Sequence, residues 1–435
     1  MKTQLLRRLT TVDLALVTVG SIVGSGIFRT PAVVAQRAHE PAIILGCWIA
    51  GGVIALTGAL VYAELAARRP LDGGLFGYLR DAYHPVVAFV FGWSLLLISG
   101  TGANAAAAVL FAGYLAPLTG VTLDQRLVAV LTFAVLATIN LLGVRQGGSW
   151  QNFVTALKIV ALATVIVVCL SHTPASAAPL HALAQPASLA GAIGVAMLPI
   201  LFTYAGFQGT AYVTAETVDP HRTIPRAILI GVGIVIVLYV CANVGYLRML
   251  GAGELAASTA PAADAMRAAI GAAGSRFIAL AIALSVLGYL SACMLVMPRV
   301  YYHMAAEGTF FKGVAWVSPR THVPAVAIVL HAVIASIIAA TGTYEQIINW
   351  VVAPQWLFIA LGAGGLFVFR RRDAAAPKPA VTVPGHPVTT ALFLLVLAGI
   401  FFAEVTTYPR DTAFGIAVVL SGCAVYYLRK RNSLQ

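Results

Sequence analysis

Twelve apolar stretches, each of about the length that crosses a bilayer, run through this 435-residue chain. They lie near residues 12–37, 41–66, 84–116, 125–143, 150–171, 189–217, 225–250, 272–304, 322–341, 345–369, 387–407 and 411–428. Hydrocarbon offers no partner to a backbone N–H or C=O, so such a stretch must be a helix or part of a closed barrel. These are too long for barrel strands and show no sustained alternation. The expected fold class is therefore an all-α membrane protein with twelve transmembrane helices. Composition agrees: 60% of the residues are hydrophobic and 10% charged, against about 25% charged in soluble domains.

The net charge of +12 would point to nucleic acid if it were evenly spread. With both ends on one side of the membrane, that side holds 19 of the 27 Lys and Arg residues, in clusters such as Arg7-Arg8 and Arg370-Arg371-Arg372. The other side holds seven (Arg29, Arg37, Arg126, Arg248, Arg267, Arg276 and Arg410), and Lys158 lies inside a span. This is the positive-inside pattern. It predicts a multi-pass protein of the cell (inner) membrane with both termini cytoplasmic, a lipid bilayer around it and no nucleic-acid partner. The five cysteines lie in or near spans without metal-ligand spacing, so they are read as small buried hydrophobes and no metal or cofactor is expected. The first apolar run is long and lacks a small-residue exit, so it is read as a working helix, not a cleaved signal. Residues 1–435 form a single membrane domain, with the longest polar connections near 171–189, 250–272, 304–322 and 370–387.

Two spans carry helix-breaking residues at mid-membrane. The first reads Gly20-Ser-Ile-Val-Gly-Ser-Gly-Ile-Phe28, and each glycine costs about 1 kcal/mol of helix propensity relative to alanine. Gly20 and Gly24 also make a GxxxG pair, so close packing and a broken helix both fit. The sixth reads Pro199-Ile-Leu-Phe-Thr-Tyr-Ala-Gly-Phe-Gln-Gly-Thr210. Interrupted segments at corresponding places are the sequence sign of an inverted-repeat transporter. Identity between the halves is negligible. On this basis residues 12–171 and 189–369 form a five-plus-five inverted repeat with broken helices 1 and 6, and 387–428 hold helices 11 and 12.

A break exposes the N–H groups of one half-helix and the C=O groups of the other. The first favour a carboxylate and the second a cation or ammonium. Two facing breaks could hold both ends of a zwitterionic amino acid.

The Gly20–Phe28 segment resembles the first-helix signature of the amino acid–polyamine–organocation superfamily. Residues 201–226, from Leu-Phe-Thr-Tyr-Ala-Gly-Phe to Thr-Ile-Pro-Arg, resemble the sixth helix and following loop of its L-type amino acid transporter branch. Tyr62-Ala-Glu-Leu65, Gly73-Gly74 and the stretch from Pro298-Arg299 to Glu307-Gly308 are also similar. The resemblance covers essentially all twelve spans. It implies that Ser21, Ile22, Val23, Gly24, Ser25 and Gly26 line the carboxylate subsite. It implies that Phe202, Thr203, Tyr204, Ala205 and Gly206 line the amino-group subsite, with Phe202 as the aromatic gate. Taken alone, Phe202 also fits a core aromatic.

Lys158 lies about 12 Å into the fifth span at 1.5 Å per residue. Either it snorkels to the surface or it is paired inside. The resemblance implies the second: a lysine ammonium standing where sodium-coupled relatives bind sodium, with Ser285 at the matching place on helix 8. That implies sodium independence and leaves exchange and proton symport both open. Asn104, in span 3, and Gln208, just past the second break, match or adjoin positions facing the substrate side chain, though each also fits an interhelical hydrogen bond. The membrane acids Glu64, Glu216, Glu345 and Glu404 do not clearly face the site, which favours neutral amino acids over a cationic amino acid or polyamine. Two departures bear on the pocket: Pro354-Gln355 is expected to interrupt span 10, and Cys293-Met294 stands where small polar residues are common. No cysteine sits in a clear external loop, so the single-span glycoprotein partner of the animal L-type proteins is not expected.

Other classes fit less well. An enzyme needs a nucleophile, metal cluster or acid–base pair at membrane depth, and of the nine histidines only His331 lies well inside a span. Channel filters and charge rings are missing. A non-transporting sensor usually carries a soluble domain. The expectation is a secondary transporter of amino acids working by alternating access, its substrate held between helices 1 and 6.

Overall fold

The computed structural model describes residues 5–119, 124–173, 189–342 and 344–432. Lys2, His181 and most of the 171–189 connection lie outside the described residues, as do the side chains of Glu345, Lys430 and Arg431. The first span is α1 (Thr11–Ile22) and α2 (Gly26–Ala38), bent by 45° at the break between them. The second is α3 (Pro41–Arg68). A short helix, α4 (Leu75–Ala82), precedes the third span, in which α5 (Pro85–Ser94) and α6 (Gly100–Thr119) meet at a π-helical turn, Leu95–Ser99. Spans four and five are α7 (Gln125–Leu141) and α8 (Val144–Ser171).

The sixth span is again broken, into α9 (Leu189–Tyr204) and a 3-10 segment, Phe207–Glu216. Then follow α10 (Pro220–Ala257), a short α11 (Pro261–Ile270), α12 (Ala272–Ala306) and a 3-10 turn, Lys312–Ala315. The chain continues through α13 (Ala325–Thr341), α14 (Tyr344–Arg372), α15 (Val388–Thr407) and α16 (Pro409–Asn432). Among the described residues, eight helices are long and apolar enough to cross a bilayer, and the α1/α2 pair makes a ninth. The apolar 17-residue α7 and α13 and the broken sixth span complete the twelve. Seventeen residues span about 25 Å, the short end of the range. The short helices α4 and α11 were not foreseen, because both lie in segments that read as polar connections.

Local chemistry sets the helix starts. Thr10 and Asp13 form a capping box on α1, and Asp124 caps α7 by accepting from the N–H groups of Arg126 and Leu127. Proline opens α3, α5, α10 and α11, where its missing N–H costs nothing.

The expected interruption of span 10 does not occur: α14 runs unbroken through Pro354. Proline frees the carbonyl four residues back, here that of Trp350. Gly415 of α16 lies against that carbonyl, so close that an added Cβ would stand 2.5 Å from it. Close packing by a neighbouring helix carries the span past its proline.

The helices divide into two groups. α1, α2, α3, α9 and α10 pack on one another, and α6, α7, α12 and α13 form a second block with α8 between the two. At the N-terminal side the groups are joined by buried charge. Arg299 of α12 donates twice to Glu216, from Nε at 2.8 Å and Nη2 at 3.0 Å, and neither side chain is exposed. The chain before α1 adds backbone bonds: the N–H groups of Arg8 and Leu9 donate to the Glu216 carbonyl, and that of Val218 donates to Leu9. Glu64 of α3 accepts from Arg68, Arg370 and the Val383 N–H.

Removing one partner of a buried ion pair costs about 3–5 kcal/mol, far more than an exposed pair. We expect Glu216→Ala to lower the thermal unfolding midpoint of the purified protein well beyond Asp81→Ala, whose partner Arg80 keeps Glu307 and is partly exposed. Equal midpoints would contradict this account of the Glu216–Arg299 pair.

Candidate functional site

The breaks of spans one and six lie face to face. Gly206 has φ +124°, a conformation that disfavours other residues, and an added Cβ would stand 2.4 Å from the Ser21 carbonyl oxygen. Gly26 approaches Thr203 in the same way, with an added Cβ at 2.8 Å from its side chain. Tyr239 of α10 ties the two breaks: its hydroxyl lies 3.4 Å from the Ile22 carbonyl and 3.3 Å from the Thr203 carbonyl. The GxxxG pair splits in role. Gly20 is a packing glycine, pressed against Gln151 and Thr155 of α8, whereas nothing lies within 4 Å of the Cβ position at Gly24.

A cavity of about 150 Å³ opens where the breaks meet. Ser21, Ile22, Gly24, Ser25 and Gly26 line it from span one, and Phe202, Thr203, Ala205, Gly206 and Gln208 from span six. Val23 and Tyr204 do not line it. The Val23 side chain is buried in packing and only its carbonyl takes part, as described below. Tyr204 turns toward α3, where its hydroxyl donates to the Trp48 carbonyl at 3.3 Å and its ring packs on Trp48 and Tyr239.

Asn104 does not reach the cavity either. Ala103, Ala107 and Leu110 present one face of α6 to the cavity, and Asn104 is turned about 100° from it. Its Nδ2 donates to His331 Nε2 at 2.8 Å, and His331 Nδ1 meets the Tyr301 hydroxyl at 3.1 Å. The His331 ring thus bridges Asn104 and Tyr301 through its two nitrogens. The Tyr301 hydroxyl then donates to the Leu95 carbonyl at 3.2 Å, the start of the π-helical turn. The chain of bonds stands behind the wall that Leu95 and Ser99 present to the cavity.

Cys293 of α12 and Gln355 of α14, one from each of the two departures that bear on the pocket, both line it. Other walls, among them Val286 and Tyr289 of α12 and Phe358 of α14, were not foreseen. A helix face is hard to read when its sequence is apolar all round, as in α12. Among the described residues, none that lines the cavity carries a charge. Two polar atoms on lining residues, Ser21 Oγ and Gln208 Oε1, are buried with no partner among the described residues. Leu75, Phe91, Tyr212 and Phe358 are almost fully buried and close the N-terminal side. Phe202, on the other side of the break, is 36% exposed.

Each break also has its electrostatics. α2 begins at the cavity with no side-chain cap, so its first N–H groups face the space. The carbonyls of the α1 end are instead met by a cation. Lys158 does not snorkel: it is buried, and Nζ donates to the Gly20 carbonyl at 3.1 Å and to the Val23 carbonyl. Ser285 Oγ donates to the Gly24 carbonyl at 2.9 Å, so α8 and α12 hold the same turn of span one. Gly288 makes room for the lysine, since a Cβ there would stand 2.7 Å from Lys158 Cε.

A charge-free cavity between two facing helix breaks, in a twelve-span bundle, defines a secondary transporter. The comparisons with known proteins agree. The family described as amino acid permease matches residues 9–426. The chain is 32% identical to the human b(0,+)-type amino acid transporter 1, over 94% of this chain and 85% of the relative. It is 28% identical to the serine/threonine exchanger SteT of Bacillus subtilis (strain 168), over 95% of each. It is 29% identical to the human large neutral amino acids transporter small subunit 2, over 94% of this chain and 78% of the relative. The protein belongs to the amino acid permease family, and it is a multi-pass membrane transporter of amino acids, not an enzyme.

Gly206 and Gly24 should respond in opposite ways to one added methyl. Gly206→Ala meets the Ser21 backbone in a strained conformation, and we expect a loss of folded protein or a clear fall in unfolding temperature. Gly24→Ala should fold with wild-type stability and act only through the cavity. Equal stability of both variants in a melting measurement would contradict the facing-break geometry.

Proposed function

We propose that the protein carries neutral L-amino acids across the membrane by sodium-independent exchange and alternating access. The observation that supports this most is the cavity itself: it offers helix-end N–H groups, helix-end carbonyls and no charged side chain. In this proposal the substrate carboxylate meets the start of α2, aided by Ser25 and Gly26. The ammonium meets the carbonyls of Ser21 and Ile22 and those at the end of α9. The side chain lies toward Ala103, Tyr289, Cys293 and Gln355. A cationic substrate would need a carboxylate on that wall. Glu64 and Glu216 are held by arginines elsewhere and Glu404 lies on α15.

Lys158 supports the sodium-independent reading, because an ammonium already supplies the positive charge at the α1 carbonyls. Exchange is favoured over proton symport by the similarity to a serine/threonine exchanger. In the cycle we propose, Phe202 swings over the bound substrate. The group containing α1, α2, α3, α9 and α10 then rocks against the α6, α7, α12 and α13 block, which parts the contacts at the N-terminal side. We assign residues 12–171 and 189–369 to the two inverted repeats and 387–428 to the added pair. The charge asymmetry supports cytoplasmic termini. We also propose that no single-span glycoprotein partner is required, since the five cysteines lie within or beside the helices.

Uptake of labelled amino acids into proteoliposomes tests this proposal. Vesicles preloaded with unlabelled neutral amino acid should take up label, and empty ones should not, with or without sodium. Equal uptake into empty vesicles under a proton gradient would replace exchange by symport. Two variants test the residues. Lys158→Ala should fold and lose uptake at least about tenfold, within the usual range of coupling energies, and uptake unchanged across pH would count against its role. Gly26→Leu fills the space beside Thr203 and should abolish substrate binding, whereas wild-type affinity in a folded variant would refute the carboxylate subsite.

A further inference from the structure

The connection between α12 and α13 forms a built surface that the transport cycle does not use. Phe310 is buried and anchors it, its ring packed among those of Phe89 of α5 and Trp93 at 6.4 and 6.5 Å. Arg429, in the last turns of α16, clamps it: Nη2 donates to the Phe310 carbonyl at 2.8 Å, and the guanidinium lies 4.8 Å over the Phe311 ring. The loop's need for apolar burial is therefore met by Phe310. Yet Phe311 and Trp316 remain 57% and 51% exposed on the outer face.

Cations lie on the same connection. Lys312 and Arg320 are exposed, and neither enters an ion pair among the described residues. Arg429 Nη1 is buried beneath the same surface with no partner. The neighbouring turn of α16 is a lipid-facing one, with Tyr427 and Leu428 both exposed and apolar. The surface therefore lies at the level of the helix ends and at the rim of the bundle, on the side that the proposed topology places in the cytoplasm. Aromatic rings seat at the headgroup level of a bilayer, and Lys and Arg there attract anionic headgroups.

We propose that Phe311, Lys312, Trp316, Arg320 and Arg429 form a docking surface for an anionic phospholipid of the adjoining leaflet. The rings hold its glycerol and upper acyl region, the exposed Lys312 and Arg320 hold its phosphate, and Arg429 fixes the loop that carries them. Charge complementarity and continuity with the lipid-facing side of α16 favour a lipid over a protein partner.

Full-length protein, delipidated in detergent, is titrated with phosphatidylglycerol or phosphatidylcholine, and bound lipid is counted by native mass spectrometry. Phosphatidylglycerol should bind preferentially. Lys312→Gln/Arg320→Gln should weaken it about fivefold for each charge removed, the equivalent of about 1 kcal/mol per cation. Phe311→Ala/Trp316→Ala should weaken both lipids. All four side chains are exposed, so the variants should keep the wild-type melting temperature. Arg371→Gln/Lys378→Gln, which removes cations elsewhere on the same side, should leave the preference intact. Equal binding of the two lipids overturns the proposal, and so does an equal loss in the distal variant. Competition by soluble glycerol phosphate as strong as that by the lipid would make this a free-phosphate site. A second copy of the chain seated there, seen as a dimer that Phe311→Ala/Trp316→Ala abolishes, would also overturn it.

Discussion

Backbone left open inside a bilayer is the constraint on which this structure depends. Two spans stop being helical at mid-depth, and each stop leaves carbonyls on one side and N–H groups on the other. Some of the carbonyls at the end of α1 are met by protein: Lys158 and Ser285 hold Gly20, Val23 and Gly24, and the Tyr239 hydroxyl lies at the edge of reach of Ile22 and Thr203. The N–H groups that open α2 have no such cap. The site is thus partly satisfied by the protein, and in the proposed function the substrate completes it.

The same economy explains where the polar residues lie. Among the described residues, charges are absent from the cavity wall and concentrated at the N-terminal side, where Arg299 of α12 holds Glu216 of the sixth span and the Glu64 cluster ties α3 to α14. Behind the wall, Asn104 Nδ2, His331 and Tyr301 form a chain of hydrogen bonds that ends on the carbonyl of Leu95, while Asn104 Oδ1 is buried with no partner among the described residues. The Leu95 carbonyl already accepts the Gly100 N–H that closes the π-helical turn, and the Tyr301 hydroxyl is its second donor. The network backs the α6 face that Ala103 and Ala107 present to the cavity.

Much of this was legible in the sequence, and for physical reasons. A bilayer permits few structures, so the apolar stretches foretold the spans, and Gly20–Gly26 and Ala205–Gly206 marked both breaks. The residues alone left Lys158 either snorkelling or paired inside; the resemblance pointed to the second, and the structure shows the exposed helix end supplying its acceptors. Asn104 was misplaced toward the substrate because one residue along α6 turns a side chain by about 100°, and uniform apolarity hides which face is inward. Tyr204 and Val23 failed for the same reason, since residues at a break change direction without regular periodicity. Pro354 was read as an interruption because nothing local shows that Gly415, 61 positions on, packs against the freed carbonyl. Tyr239 left no local signal, because its role depends on two carbonyls brought together only by the fold.

The central claim is that both charged ends of an α-amino acid are held by helix ends. Competition against labelled substrate bound to the purified protein tests it most directly, using a neutral amino acid, its methyl ester and its N-acetyl derivative. The account predicts that the free amino acid competes and that capping either end abolishes competition. Competition by the ester equal to that of the parent would contradict the assignment of the carboxylate to α2, and with it the mechanism built on the facing breaks.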